Sequence, residues 1–190
     1  MTVANILTTI RLVLTPVFFV LFILKKPSLA ILVFSVASFT DLIDGTVARM
    51  LKQPSTKGAL LDPLADKLLL QTCFICLFFS GLLPLWFFLL ALCRDIMIVG
   101  GILYLEYRRF KLPYRATLPS KFATLLQIAL AIVGMLIWWH PEINISGFAM
   151  ANLFPELIIA TALFLIISGS QYVLIGLKII SNDSRKLNHD

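Results

Sequence analysis

The chain has 190 residues, of which 59% are hydrophobic and 14% charged, with a formal net charge of +6. A soluble domain carries about 25% charged residues, so this composition excludes a globule dissolved in water and makes the bilayer the expected solvent. The basic residues lie in short segments between apolar stretches, which directs the positive charge to anionic lipid headgroups or a phosphate substrate and away from nucleic acid.

A spanning helix needs about 20 mainly apolar residues. Six segments meet this, at 6–24, 27–50, 60–81, 83–105, 122–139 and 153–180. The first lacks a small-residue cleavage site and is read as a retained span. Turn formers and charges fill the short connections, and no linker divides the chain. The expected architecture is an all-α integral membrane protein, a single domain over 1–190 built as a bundle of six transmembrane helices. The loop after the second span carries Lys52 and Lys57, and the loop after the fourth carries Arg108, Arg109, Lys111, Arg115 and Lys121. The tail carries Lys178, Arg185 and Lys186, whereas the opposite side has Lys25 and Lys26. Positive charge stays inside, so both termini and the even-numbered loops are expected in the cytoplasm.

The second span closes on Asp41, Asp44, Gly45, Ala48 and Arg49, and the third opens on Gly58, Asp62 and Asp66. Positions 41, 44, 45 and 48 fall on one helical stripe, and 58, 62 and 66 form another at steps of four. Neighbouring antiparallel helices would bring four carboxylates to one small volume, an unfavourable arrangement without cations. Carboxylate oxygens are hard ligands suited to Mg²⁺, Mn²⁺ or Ca²⁺. Two such ions could clamp a pyrophosphate and stabilise its leaving oxygen. Gly45, Ala48 and Gly58 leave room for close packing or for a ligand at the backbone. One or two aspartates at a helix end could instead snorkel to water. Four on two aligned stripes, with small residues between, favour a site.

Arg94 and Asp95 lie near the middle of the fourth span, with two readings: an ion pair that ties helices together, or an arginine that reaches the acceptor's phosphate or the lipid headgroup. Lys121 and Arg115 are either positive-inside anchors or ligands of an anionic acceptor. Cys73 and Cys76 form a CxxC inside an apolar run and read as small packing residues. His140 and His189 are isolated, on opposite sides of the membrane, and neither is expected to be a ligand or nucleophile. Trp86, Trp138 and Trp139 fall where an aromatic belt would sit. Gly100-Gly101, Gly134 and Ser168-Gly169-Ser170 permit close helix contacts compatible with a homodimer.

The run Asp41-x-x-Asp44-Gly45-x-x-Ala48-Arg49, then eight residues, then Gly58-x-x-x-Asp62-x-x-x-Asp66 fixes eight residues over 26 positions. It resembles in full the signature of the CDP-alcohol phosphatidyltransferase family. Asn5-Ile6-Leu7-Thr8 followed by Arg11 looks like the family's Pro-Asn-x-x-Thr-x-x-Arg opening, with Ala4 in place of the proline. Leu61-Asp62-Pro63-Leu64-Ala65-Asp66-Lys67, Arg94-Asp95 and Ser120-Lys121 look like two groups of that family, the bacterial phosphatidylglycerophosphate synthases and the eukaryotic-type cardiolipin synthases. Arg94-Asp95-Ile96-Met97 and Leu103-Tyr104-x-x-Tyr107-Arg108 look particularly like the second group.

The resemblance implies that Asp41, Asp44 and Asp62 hold the metals, two Mg²⁺ or Mn²⁺ ions per site, with Asp66 sharing one and acting as general base. It implies that Gly45, Ala48, Arg49 and Gly58, with Asn5 and Thr8, line the CDP-lipid site, and that Arg94, Lys121 and Arg115 bind the acceptor. The implied reaction transfers phosphatidyl from CDP-diacylglycerol directly to glycerol 3-phosphate, with CMP leaving, or to phosphatidylglycerol in the alternative. The implied setting is a bacterial inner membrane, with the site facing the cytoplasm. A cation transporter or channel is the alternative of another class; it would place carboxylates near the bilayer midplane beside broken helices.

Overall fold

The computed structural model describes residues 3–38, 58–108, 117–142, 144–145 and 148–187. Asp41, Asp44, Gly45, Ala48, Arg49, Arg115 and His189 lie outside the described residues, as do the side chains of Asn5, Thr8, Asp62 and Asp66.

Six helices make up almost all of the described chain. They are α1 (Val3–Ile23), α2 (Pro27–Ser38), α3 (Gly58–Phe79), α4 (Leu85–Tyr107), α5 (Leu118–Trp139) and α6 (Met150–Leu187). Two short strands, β1 (Asn144–Ile145) and β2 (Phe148–Ala149), pair antiparallel between α5 and α6, with Asn144 opposite Ala149 and Ile145 opposite Phe148. The sequence reading contained no strand.

Among the described residues, three helices are long and apolar enough to cross a membrane: Leu85–Leu105, Leu118–Trp139 and Asn152–Ile179. Among the described residues, Thr9–Ile23, Pro27–Ser38 and Lys67–Phe79 are shorter apolar stretches. Large apolar side chains also cover the outward faces. Leu12, Leu32, Ile96, Ile159 and Leu174 are all more than half exposed, the inverse of what water tolerates over so broad a surface.

The turns explain how the helices reverse. α1 ends at Lys25, whose φ of 52° is left-handed; its N–H donates to Phe22 O at 3.0 Å, and the N–H of Lys26 donates to Leu21 O at 3.0 Å. α3 ends in the same way on Gly81, φ 80°, with Gly81 N–H to Phe78 O at 2.9 Å and Leu82 N–H to Leu77 O at 3.1 Å. Both are left-handed caps that satisfy carbonyls at the end of a helix. Glycine adopts that conformation at no steric cost, whereas Lys25 does so against its own side chain. α5 starts four residues earlier than the span read from sequence. Its first turn includes Pro119, whose missing N–H would be unpaired there in any case. α6 runs past the apolar span to Leu187, because a helix leaving the bilayer no longer needs apolar side chains.

α3 packs against α1, α4 and α5, and α6 packs against α4 and α5. Phe18 of α1 meets Phe34 of α2 with ring centroids 5.7 Å apart, and Phe74 of α3 meets Phe87 of α4 edge-on at 5.5 Å. Cys73 and Cys76 are buried free thiols within this core, as packing residues should be. Trp86 and Trp139 are exposed, whereas Trp138 stacks on Phe22 at 4.0 Å and 15° and so ties α5 to α1. α6 approaches α4 closely at Gly169: a Cβ there would stand 3.2 Å from Met97 Cε and 3.7 Å from Arg94 Cγ. That close approach seats the stem of Arg94.

Candidate active site

The acidic end of α3 is helical from its first glycine. Gly58, Asp62 and Asp66 lie at steps of four on a continuous helix and therefore share one face. Among the described residues, no group of three His, Cys, Asp or Glu side chains stands ready to hold a metal. The donor chemistry of the α3 stripe nevertheless fits a hard divalent cation, since two carboxylate-bearing positions follow one turn apart.

Lys67 and Gln71 continue along the helix from Asp66, one turn apart from each other, and both meet Asp95 of α4. The Lys67 ammonium stands 3.2 Å from Asp95 Oδ1, in ionic contact without the alignment of a hydrogen bond. The Gln71 amide Nε2 donates to the other oxygen, Asp95 Oδ2, at 3.0 Å. Arg94 donates through Nη1 to Asp95 Oδ1 at 2.8 Å. Its Nη2 donates to Ser120 Oγ of α5 at 2.9 Å and to Ser168 Oγ of α6 at 2.7 Å.

Six side chains from four helices thus form one connected network. Arg94 and Asp95, at the centre of the network, are each 4% exposed, while Lys67, Gln71 and Ser120 are half-buried at its edge. Among the described residues, two cations share one carboxylate, which leaves this group one net positive charge where unbalanced charge is expensive. Arg94 Nε is also buried without a partner. Ion pair and substrate-facing arginine, set as alternatives by the sequence, are compatible here: Asp95 engages Nη1, two hydroxyls meet Nη2, and Nε is left over.

The other expected positions fare unevenly. Lys121 is exposed in the first turn of α5, and its neighbour Ser120 carries the contact to Arg94. Lys67 was read only as the end of the run from Leu61 and given no role, and Gln71 was not singled out, although a lysine and a glutamine one turn apart inside an apolar helix are themselves a signal. Ser168 was read for its small size, and its hydroxyl proves to matter as well.

The family model for CDP-alcohol phosphatidyltransferases matches residues 1–168, most of the chain and the whole of the acidic signature. The chain belongs to the CDP-alcohol phosphatidyltransferase family. Its long apolar helices and this family membership make it a membrane protein. The chain is 35% identical over 188 residues to a protein of Aquifex aeolicus named CDP-diacylglycerol--glycerol-3-phosphate 3-phosphatidyltransferase, covering 95% of this chain and 98% of that one. It is 36% identical over 113 residues to the human cardiolipin synthase (CMP-forming), covering 59% of this chain and 38% of that protein. It is 44% identical over 105 residues to a putative cardiolipin synthase of Mycobacterium tuberculosis, covering 54% of this chain and 49% of that protein. The chain's matches therefore span less than half the length of the cardiolipin synthases, but nearly all of the Aquifex phosphatidyltransferase.

Proposed function

We propose that this phosphatidyltransferase moves the phosphatidyl group of CDP-diacylglycerol to glycerol 3-phosphate, giving phosphatidylglycerophosphate and CMP. The end-to-end match to the Aquifex protein of that name carries the reading. The higher local identity to the mycobacterial relative supports a second acceptor, phosphatidylglycerol, with cardiolipin as product.

In the proposed mechanism the acceptor hydroxyl attacks the phosphorus that bears diacylglycerol, and CMP leaves. Asp66 takes the hydroxyl proton, since a hydroxyl near neutral pH is a poor nucleophile without a positioned base. Asp41, Asp44, Asp62 and Asp66 would hold Mg²⁺ or Mn²⁺, two ions per site, whose chemistry is to offset the negative charge that gathers on the leaving CMP. Gly45, Ala48, Arg49 and Gly58, with Asn5 and Thr8, would line the CDP-lipid site. Arg94, Lys121 and Arg115 would bind the phosphate of the acceptor. For Arg94 the support is its burial and its unpartnered Nε.

The proposed setting is a single domain of six spans with both termini in the cytoplasm, in a bacterial inner membrane, working as a homodimer. Acyl chains then lie among apolar helices while the reacting phosphates face water at the cytosolic rim. Purified protein given labelled CDP-diacylglycerol with glycerol 3-phosphate, phosphatidylglycerol or an inositol phosphate, each in turn, tests the reading. Phosphatidylglycerophosphate from the first acceptor is the expected product. Cardiolipin from the second in its absence would establish the alternative.

A further inference from the structure

Asp95 has more partners than an ion pair needs. Lys67 and Gln71 of α3 reach its two oxygens separately, at 3.2 and 3.0 Å. Held at both oxygens, the carboxylate cannot turn about its own axis without breaking one contact. Arg94 is bound to that fixed carboxylate through Nη1 at 2.8 Å. A guanidinium is planar, so fixing Nη1 on Asp95 and Nη2 on two hydroxyls sets the plane of the whole group. The two serines belong to different helices, and Lys67 follows Asp66 directly in the chain. The contact set therefore links the turn of α3 that follows Asp66 to the arginine placed between α4, α5 and α6.

Charge balance alone would not build this. Among the described residues, one carboxylate between two cations leaves the group one positive charge in excess. A purely structural pair would be sited to cancel, because residual buried charge costs stability. The surplus suits an anion that arrives and leaves.

We propose that Asp95, anchored by Lys67 and Gln71, is a positioning residue for the anionic acceptor: it fixes the plane of the Arg94 guanidinium without touching substrate. The inference rests on the transfer reaction proposed above. Misplacement of a substrate-orienting group by about 1 Å can cost on the order of 100-fold in rate, so Asp95→Asn lowers kcat/KM for glycerol 3-phosphate by about that factor. The loss falls on the KM for the acceptor, while the KM for CDP-diacylglycerol stays as in the wild type.

The control for charge is the double variant Lys67→Met/Asp95→Asn, which retains one net positive charge but loses the clamp. It stays defective for the acceptor if Asp95 acts by positioning. Full recovery in the double variant would reduce Asp95 to a counter-charge and overturn the proposal. Equal increases in both KM values in Asp95→Asn would mark a general structural defect and overturn it as well.

A second readout does not depend on turnover: the thermal stabilisation of detergent-solubilised protein by glycerol 3-phosphate, inorganic phosphate or phosphatidylglycerol micelles. The wild type is stabilised by at least one of them, and Asp95→Asn loses that response while retaining a cooperative melt. Absence of any response in the wild type overturns the positioning claim. A wild type that responds but forms no lipid product refutes the proposed reaction instead, and the two failures are thereby told apart.

Discussion

Gly134 offers a stringent test of the packing that holds the network in place. It lies on α5 where that helix meets α3 and α6. A Cβ added there would stand 2.7 Å from Leu77 Cδ1, 3.1 Å from Phe154 Cζ and 3.3 Å from Leu77 Cδ2. The first distance is inside the repulsive wall, and the obstructing atom is the end of a side chain. Leu77 is fully buried and Phe154 is 4% exposed, so neither has open space to turn into. Overpacking of this kind costs about 1–3 kcal/mol, and Gly134→Ala should lose that much in a reversible unfolding titration in mixed micelles.

Leu77→Ala removes both obstructing methyl groups. In a bilayer lipid is as apolar as leucine, so the transfer part of a cavity penalty largely disappears, leaving a packing loss of about 2 kcal/mol. Gly134→Ala should then cost less in the Leu77→Ala background, where the 3.1 Å approach to Phe154 Cζ is what remains. The coupling energy of the cycle should be the greater part of the single Gly134→Ala cost, within the range of about 0.5–3 kcal/mol seen for residues in contact. Strict additivity, or a Gly134→Ala protein as stable as the wild type, would refute the close approach of α5 to α3.

Asp66→Asn should lower CMP release about 10²–10⁴-fold, the usual contribution of a positioned base; release at the wild-type rate would remove Asp66 from that role. Ser168→Ala deletes one of two hydroxyls on Arg94 Nη2 and should destabilise the protein by about 1.5–3 kcal/mol, the worth of a hydrogen bond to a charged group, as measured by the same unfolding titration. Gln127 is fully buried on α5 with neither amide atom bonded, so Gln127→Leu should leave stability unchanged or raise it by about 1–3 kcal/mol; a clear loss would mean the amide is satisfied.

Much of the helical layout was legible because span length and apolar content impose it. The starts and ends read for the third, fourth and fifth segments deviate where the chain uses terminal chemistry that periodicity does not report. Pro119 looks like a loop residue and sits in the first turn of a helix. The polar stretch after Ile180 looks like a tail and continues α6. The hairpin escaped notice because two pairs of residues are too short to show alternation, although Ser146-Gly147 between them is a turn signal. The acidic stripe of α3 was legible at the level of face, since a spacing of four survives any small error in helix bounds. The partners of Arg94 and Asp95 were not, because Lys67, Gln71, Ser120 and Ser168 come from three helices whose relative rotation no local pattern encodes.

The decisive measurement is CMP release from CDP-diacylglycerol by the purified protein with glycerol 3-phosphate, before and after removal of divalent cations with EDTA. Turnover that disappears with the chelator and returns with Mg²⁺ or Mn²⁺, together with phosphatidylglycerophosphate as the lipid product, is the predicted result. Release that is indifferent to the chelator, or no release with any acceptor and any metal, would contradict a metal-dependent phosphatidyl transfer at the acidic end of α3.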